Sequence, residues 1–225
     1  MAQWLPLVQS ISGATLTFTA TDTTQTWQTN SGTLTFSATI GTASTDRLVV
    51  VAISNVAATG NDISGVTIGG FAMTKATSST VAGGGVPASD IWYRMTPTSD
   101  IAGSTASIVV TIGGTNFSND LVISVGKITG SAAATLGPVA NVPSASSPDP
   151  HAISAAIPAN GVAVMLASID RNTTVSWSNA TKDSNINETG GGAVGQSMAH
   201  GTNNSPSFTG ANNFGTSSAM ATFGP

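Results

Sequence analysis

The sequence predicts an all-β protein, a jelly-roll-like antiparallel β-sandwich preceded by an extended N-terminal arm. Three observations support this. Apolar and polar residues alternate over short segments, which is the period of a half-buried strand. No stretch of about 12 residues keeps a helical period, because Gly, Pro or Asn interrupts each candidate window. The 225 residues are 40% hydrophobic but only 5% aromatic, so the core consists mainly of Val, Ile, Leu, Ala and Thr, a composition that suits strands.

The individual strands differ in how deeply the sequence predicts them to be buried. Residues 33–37 alternate, as expected for a strand with one exposed face. Residues 47–53 form a continuous apolar run after Arg47, which fits a central strand covered on both faces. Gly69-Gly70 separates two short apolar segments and predicts a tight hairpin turn. The remaining strands are expected at 16–19, 66–68, 72–74, 90–95, 106–112, 121–128 and 162–169.

Turn-rich segments separate these strands at 82–89, 113–119 and 137–150. The last of them holds four of the ten prolines. Because proline restricts itself and the residue before it, we expect residues 137–150 to be extended and to lack ladder hydrogen bonds. The sequence therefore predicts a linker or a long crossover at this point.

A weak internal similarity lies on the two sides of the proline-rich segment. Residues 48–54 are echoed by 162–168, and each copy continues through a short strand, a Gly-rich segment and a further strand. Residues 107–111 and 217–223 end the two copies. Two related halves, 31–136 and 151–225, are one interpretation. Chance similarity within a low-complexity β sequence is the alternative. Residues 1–30 are predicted to form the N-terminal arm or an edge segment, and 31–225 the sandwich.

The composition favours a protein that works outside cells. Only 7% of the residues are charged, and the chain contains no Cys. It opens Met1-Ala2-Gln3-Trp4 without the basic and apolar regions of a secretion signal. We therefore expect a virion protein that is assembled in the host cytoplasm and released by lysis. The six basic residues are scattered, so nucleic acid is not an expected partner. No apolar run approaches the ~18 residues of a membrane helix, so no membrane association is expected.

The order of several motifs resembles a known group of proteins. The motifs are residues 46–52, the hairpin 66–74, the aromatic strand 91–93, and 122–130 with its Lys-Ile-Thr-Gly end. This order resembles a loosely defined group of β-sandwich proteins of tailed phages, encoded among head, decoration and tail genes. The resemblance covers roughly residues 30–225. It implies a sandwich fold and a virion context, and it brings no active-site residues with it.

Four residues are candidates for contacts between subunits. Trp4 and Trp27 lie in the N-terminal segment, and an arm that packs its Trp on a neighbouring subunit is a common way to assemble. Trp92 and Trp177 fit a core better. Arg47 and Arg94 are candidates for interface salt bridges, since Arg is favoured at interfaces. The alternative is ordinary solvation at strand edges, and Asp46-Arg47 also fits a charge pair or a structural anchor.

No catalytic, metal or cofactor site is predicted. His151 and His200 are the only imidazoles. We expect His151 in an exposed proline-rich loop and His200 at the end of a strand, and no third metal ligand can be named. The acidic residues fall mainly at predicted turns, which Asp commonly stabilises. A calcium site in a loop stays an alternative, although no Asp-x-Asp-x-Asp-Gly spacing occurs. The Gly-rich turns do not open helices and are not phosphate loops.

The sequence as a whole favours a structural protein rather than an enzyme. We expect a non-enzymatic phage virion protein that decorates or cements the capsid exterior. Its partners would be further copies of itself and the major capsid protein or other virion proteins. The first alternative is a tail-fibre or baseplate adhesin that binds a host glycan or protein through its loops, with residues 203–213 as the best loop. A cellular surface-layer module is a third interpretation.

Overall fold

A computed structural model of the chain describes residues 14–28, 32–57, 63–79, 86–113, 119–145, 151–170, 174–186, 194–209 and 215–225. Within these ranges the secondary structure is entirely β, which confirms the predicted fold class. The strands are β1 (Thr17–Gln28), β2 (Gly32–Thr39), β3 (Leu48–Ala57), β4 (Ile63–Ile68), β5 (Phe71–Ala72), β6 (Thr74–Ser78), β7 (Val86–Met95), β8 (Thr105–Ile112), β9 (Asn119–Thr129), β10 (Thr135–Ala145), β11 (His151–Ala152), β12 (Val162–Asp170), β13 (Ser176–Ser178), β14 (Thr181–Ile186), β15 (Val194–Gly201), β16 (Ser207–Thr209) and β17 (Thr216–Gly224).

The strands form four antiparallel sheets, named A to D here. Sheet A has the order β1-β9-β3-β7-β6, and sheet B has the order β2-β8-β4-β5. Sheet C has the order β10-β17-β12-β15-β14, and sheet D has the order β11-β16-β13. These antiparallel sheets are consistent with a β-sandwich, and the jelly-roll connectivity stays a prediction.

The sheets stack in the order B, A, C, D, and β3 shows why. Its residues Val49, Val51 and Ile53 pack with sheet B in one core cluster. The alternate residues, among them Leu48 and Val50, pack with β12 and β17 of sheet C in a second cluster. A third cluster lies between sheets C and D. Strand β3 is therefore covered on both faces, as its apolar run predicts.

The strands up to β9 and those from β10 onward follow the same connectivity. Counted along the chain within each group, the strands occupy the same places in sheets A and C: β1, β9, β3, β7 and β6 correspond to β10, β17, β12, β15 and β14. In the outer sheets, β2, β8 and β4 correspond to β11, β16 and β13. The echoed segments 48–54 and 162–168 fall on the two central strands, β3 and β12. One predicted correspondence is wrong. Residues 107–111 belong to an outer sheet, whereas 217–223 belong to β17, whose counterpart is β9.

The proline-rich segment differs from its prediction, because residues 135–145 form β10 and pair with β17. The register shifts between Leu136 and Val139 and again between Val142 and Ala145, and each interval contains a proline, Pro138 or Pro143. Proline is tolerated there because β10 is an edge strand and a shifted residue needs no ladder bond. Residues 86–89, predicted as turn, instead begin β7.

Two other local predictions can be compared with the structure. Gly69 and Gly70 have φ values of +57° and +87° and join Ile68 to Phe71, so the predicted tight hairpin is confirmed. Strand β1 lies within the segment predicted as an arm or edge segment. It is the edge strand of sheet A, and its residues Thr17 to Gln28 pair with β9.

The central strands β3 and β12 face each other across the interface between sheets A and C and run in the same direction. Ser54 and Ser168, near the end of each strand, are hydrogen-bonded. Tyr93 and Phe223, which pair with the beginnings of these strands, are in ring contact. At the Ser54 end, the segments that connect the strands all lie outside the described residues. They are 29–31, 58–62, 80–85, 114–118, 146–150, 171–173, 187–193 and 210–214.

Candidate functional site

Arg47 lies just before β3, and its side chain is completely buried. Its Nε donates to the carbonyl oxygen and Oγ1 of Thr96, at 3.2 and 3.1 Å. Its Nη1 donates to the carbonyl oxygens of Gly41 and Gly103, at 2.9 and 2.8 Å, and its Nη2 donates to that of Ile101 at 2.5 Å. Burial lowers the pKa of this guanidinium below its ordinary value.

The acceptors of Arg47 belong to two loops that connect sheets A and B. One loop follows β2 and the other follows β7, so a single side chain joins them at one end of the packed sheets A and B. The predicted interface role does not fit Arg47, because it has no exposed surface with which to contact another chain. Its contacts fit the alternative of a structural anchor.

Asp46 fixes the junction between the two groups of strands. Its Oδ2 accepts a hydrogen bond of 2.7 Å from the backbone N–H of Gly130, the first residue after β9. This bond is the main reason that the pKa of Asp46 lies below its ordinary value. Gly130 has a φ of +117°, which other residues rarely adopt.

Arg94 lies at the surface, unlike Arg47. Its Nη1 donates to the carbonyl oxygen of Ala72 at 3.0 Å, and its Nη2 lies 3.3 Å from Oδ2 of Asp100. The guanidinium also lies 4.8 Å from the ring centre of Phe71, which is 38% exposed. The side chain of Arg94 keeps 29% of its surface exposed, so its role at an interface stays a prediction.

The four tryptophans have different environments. Trp4 lies outside the described residues. Trp27 belongs to β1 and pairs with Asp120, and its side chain is not described. Trp92 is buried in the core between sheets A and B, as expected. Trp177 is half-buried against Phe208 and donates its Nε1–H to Ser197 Oγ at 2.9 Å.

His151 does not lie in an exposed loop as predicted. It begins β11 and is buried, with its ring stacked on Phe208 at a centroid distance of 4.8 Å. Its Nε2 lies 3.1 Å from Oγ of Ser218. This is the spacing of a nucleophile and a base, but both side chains are enclosed between sheets C and D. A substrate has no access to them in this structure, so the contact is part of the core.

His200 lies near the end of β15, as predicted. Its Nδ1 lies 2.8 and 2.9 Å from the carboxylate oxygens of Asp183, and its ring lies 5.1 Å from that of Phe18 in β1. His200 shares the sheet face of Met198, which packs toward sheet A. Ser218, the partner of His151, shares the face of Met220, which packs toward sheet D. The two imidazoles are therefore on opposite faces of sheet C and do not form one site.

A buried polar group that the sequence analysis missed connects sheets A and C. Oγ of Ser168 lies 2.5 Å from Oγ of Ser54 and 2.6 Å from Oγ of Ser89, and Oγ of Ser89 lies 2.9 Å from that of Ser217. All four side chains are fully buried. Serine occurs throughout this chain, so only the equivalent positions of Ser54 and Ser168 at the ends of the echoed segments could have indicated the contact.

Gln196 makes the corresponding contacts on the other side of the same interface. It is the residue of β15 opposite Ser168, as Ser89 is the residue of β7 opposite Ser54. Its Nε2 donates to the carbonyl oxygens of Ala52 and Val122 at 3.2 Å, and its Oε1 accepts from Ser124 at 2.6 Å. The polar contacts therefore follow the shared connectivity of the two groups of strands.

A second polar group lies between sheets A and B. Nζ of Lys75 lies 3.6 Å from Oδ1 of the fully buried Asp90, donates to the carbonyl oxygen of Ile63 at 3.0 Å and lies 4.8 Å from the Trp92 ring centre. Asn55 is fully buried nearby on β3, and its amide has no hydrogen-bond partner in the described part of the chain. Lys75 is the only member of this group that reaches the surface, so the group belongs to the core between sheets A and B.

Comparison with known proteins gives no match: no family model, no curated protein and no solved structure is similar to this chain. Within the described ranges, His, Asp and Glu do not form a group of three that could hold a metal ion. The same ranges contain no helix that could span a membrane.

Proposed function

We propose that this chain is a non-enzymatic structural protein of a phage virion that decorates or cements the capsid exterior as a homo-oligomer. One observation carries the proposal: in the described part of the chain, several charged and imidazole groups hold its own sheets and loops together. Arg47 joins two loops, Asp46 fixes the junction at Gly130, Lys75 pairs with the buried Asp90, and the partly exposed His200 pairs with Asp183. Such groups serve a rigid body rather than a reacting centre.

The composition of the chain also supports this role. A protein that binds a capsid over a large area needs a stable body and surfaces that other chains can approach closely, and a low charge reduces the cost of desolvation. The proposed partners are further copies of this chain and the major capsid protein or another virion protein. The proposed location is the virion, after assembly in the host cytoplasm and release by lysis.

Immunogold labelling of intact particles from the source tests the proposal directly. An antibody raised against the purified chain should label the particle heads evenly. The same antibody, after adsorption to the purified chain, should not label them. Particles without label, in a preparation where the antibody detects the denatured chain in the host lysate, would overturn the virion role.

A second candidate is the tail-fibre or baseplate adhesin, and one observation favours it. The described strand ends that flank the connecting segments outside the described residues are at the Ser54 end, and the sequences of these segments are rich in Gly, Asn, Ser and Thr. Polar loops on a rigid sandwich are a common arrangement for binding. Of the predicted loop 203–213, residues 203–209 are described and include β16. Label confined to the tail tip would favour the adhesin, and a glycan array would then test its ligand.

A further inference from the structure

The eight edge strands of the four sheets differ in how they are protected against pairing with another chain. Natural edge strands are usually short, bulged, charged or interrupted by proline. Seven of the described edge strands have at least one such feature. β1, β6 and β14 carry register shifts and charged residues, β10 carries two prolines, and β5, β11 and β13 have two or three residues.

Strand β2 is the exception. Its eight residues pair with β8 in an unbroken register, from Gly32 opposite Ile112 to Thr39 opposite Thr105. It contains no charged residue and no proline. Its counterpart among the later strands, β11, has two residues and follows Pro148 and Pro150. Among the residues that the structure describes, only the first of the two equivalent edges is therefore open.

The hydrogen bonds at the end of β2 show which backbone groups face this edge. Ile40 donates its N–H to Ser104 in the direction of β8, whereas Thr39 donates its N–H away from β8, to Oδ2 of Asp22 at 2.6 Å. Backbone direction alternates along a strand. The N–H and C=O groups of Thr33, Thr35 and Ser37 therefore point to the open edge, and Asp22 covers only its last N–H group.

We propose that two copies of this chain pair β2 with β2 across a two-fold axis at Thr35. The proposal rests on the proposed self-association and assigns its interface. With Thr35 opposite Thr35, Thr33 lies opposite Ser37 of the second copy. Thr33, Thr35 and Ser37 are the residues of β2 whose outward-facing N–H groups are open, so the antiparallel pairing uses each of them and leaves the N–H of Thr39 with Asp22. The contact is isologous, as expected for a closed dimer.

The side chains of β2 support a second copy as the occupant. Leu34 and Phe36 pack against the core between sheets A and B but remain only partly buried. In the proposed register, Leu34 of one chain lies opposite Phe36 of the other, so pairing covers apolar surface on both chains. No charge on either strand opposes the contact. The two B sheets would become one continuous eight-stranded sheet.

The expected dimer is weak in dilute solution. A strand-to-strand contact of this length buries less than the ~1,000 Å² that a stable interface usually needs. On a particle surface, neighbouring copies are held at a high local concentration, so a weak edge contact is sufficient there.

Single cysteine variants test the register, because the chain contains no Cys. In the proposed dimer the two Cα atoms at position 35 are about 5.5 Å apart, within the range of a disulfide. Under mild oxidation at high protein concentration, T35C should form a covalent dimer. T105C is the matched control, since Thr105 is exposed on the same face but on β8. It lies opposite Thr39, four residues from the proposed axis, so its two copies would be about 30 Å apart. T33C or S37C alone should stay monomeric, whereas a mixture of the two should cross-link.

Two results would overturn the proposal. One is equal cross-linking of T35C and T105C, which would indicate collision rather than pairing. The other combines two measurements. T35C stays monomeric, and in the wild-type protein the amides of Thr33, Thr35 and Ser37 are protected from hydrogen exchange at every protein concentration. That result would mean that a segment of the same chain covers the edge. Because these measurements use the purified protein, their outcome is independent of whether the antibody labels virions.

Discussion

Replacement of Arg47 by Met should remove a large part of the stability of this protein. The variant keeps an apolar side chain of similar length but leaves four backbone carbonyl oxygens and the Thr96 hydroxyl without their donor. A buried acceptor without a donor costs about 1–3 kcal/mol, and the bonds to Thr96 are fully buried. Water can replace the donor at the partly buried carbonyls of Gly41, Ile101 and Gly103, at lower cost.

The expected loss in the free energy of unfolding is about 3–5 kcal/mol, because two fully buried acceptors on Thr96 lose their donor and three partly buried carbonyls must bind water instead. Domains are stable by about 5–15 kcal/mol, so the variant should still fold at low temperature. Urea denaturation followed by tryptophan fluorescence measures this difference by linear extrapolation. R94M is the matched control, since Arg94 is partly exposed, and its expected loss is below about 1 kcal/mol. If R47M and R94M lose the same stability, the anchor role of Arg47 is refuted.

Three further predictions concern the junction and the interface between sheets A and C. Because the folded pKa of Asp46 is lowered, its contribution to stability is present above the ordinary value of 3.8 and is lost as the pH falls through the folded value. D46N should therefore be less stable than the wild type at pH 7, and the difference should shrink on acidification; a difference that is constant down to pH 2 would contradict this. S54A and S168A should each cost about 1 kcal/mol, and the double variant should cost less than the sum by about 0.5 kcal/mol or more, because the two hydroxyls share a bond; strict additivity would show that they act independently. In G126A the new methyl group would overlap the ring of Phe18, with an expected cost of about 1–3 kcal/mol in thermal or urea unfolding. F18L should recover part of this loss, and no recovery would place the strain elsewhere.

The features that the sequence predicted correctly have local causes. The apolar run at 47–53 indicated a strand covered on both faces, and β3 has sheets B and C on its two sides. The Gly69-Gly70 pair indicated a hairpin because two successive positive φ angles are needed there. Both signals lie within a few neighbouring residues, so no knowledge of distant contacts was required.

The errors arose where distant parts of the chain decide the environment. Arg47 looked like a surface charge, but its acceptor Gly103 lies 56 positions further along the chain. His151 follows two prolines and suggested an exposed loop, but Ser218 and Phe208 enclose it. The proline-rich segment suggested a linker, although an edge strand with shifted register can accommodate Pro138 and Pro143. Local pattern does not reveal these acceptors, neighbours or shifts.

The candidate interface shows the same limit. Alternation in residues 33–37 predicted a half-exposed strand, and β2 is one. That β2 is an unprotected edge became visible only when its regular register was compared with the bulges, prolines and charges of the other edge strands. Edge position depends on the order of strands in a sheet, which the sequence alone did not provide.

The two ends of the sandwich have different consequences for variation of this chain. At one end, Arg47 and Asp46 tie the loops together, so an added residue there would break several contacts at once. At the Ser54 end, the connecting segments follow strand ends that are already held by their own ladders. We therefore expect foreign peptides to be accepted between β8 and β9 or between β16 and β17, and to be rejected between β2 and β3. A carrier for displayed epitopes could be built on this difference.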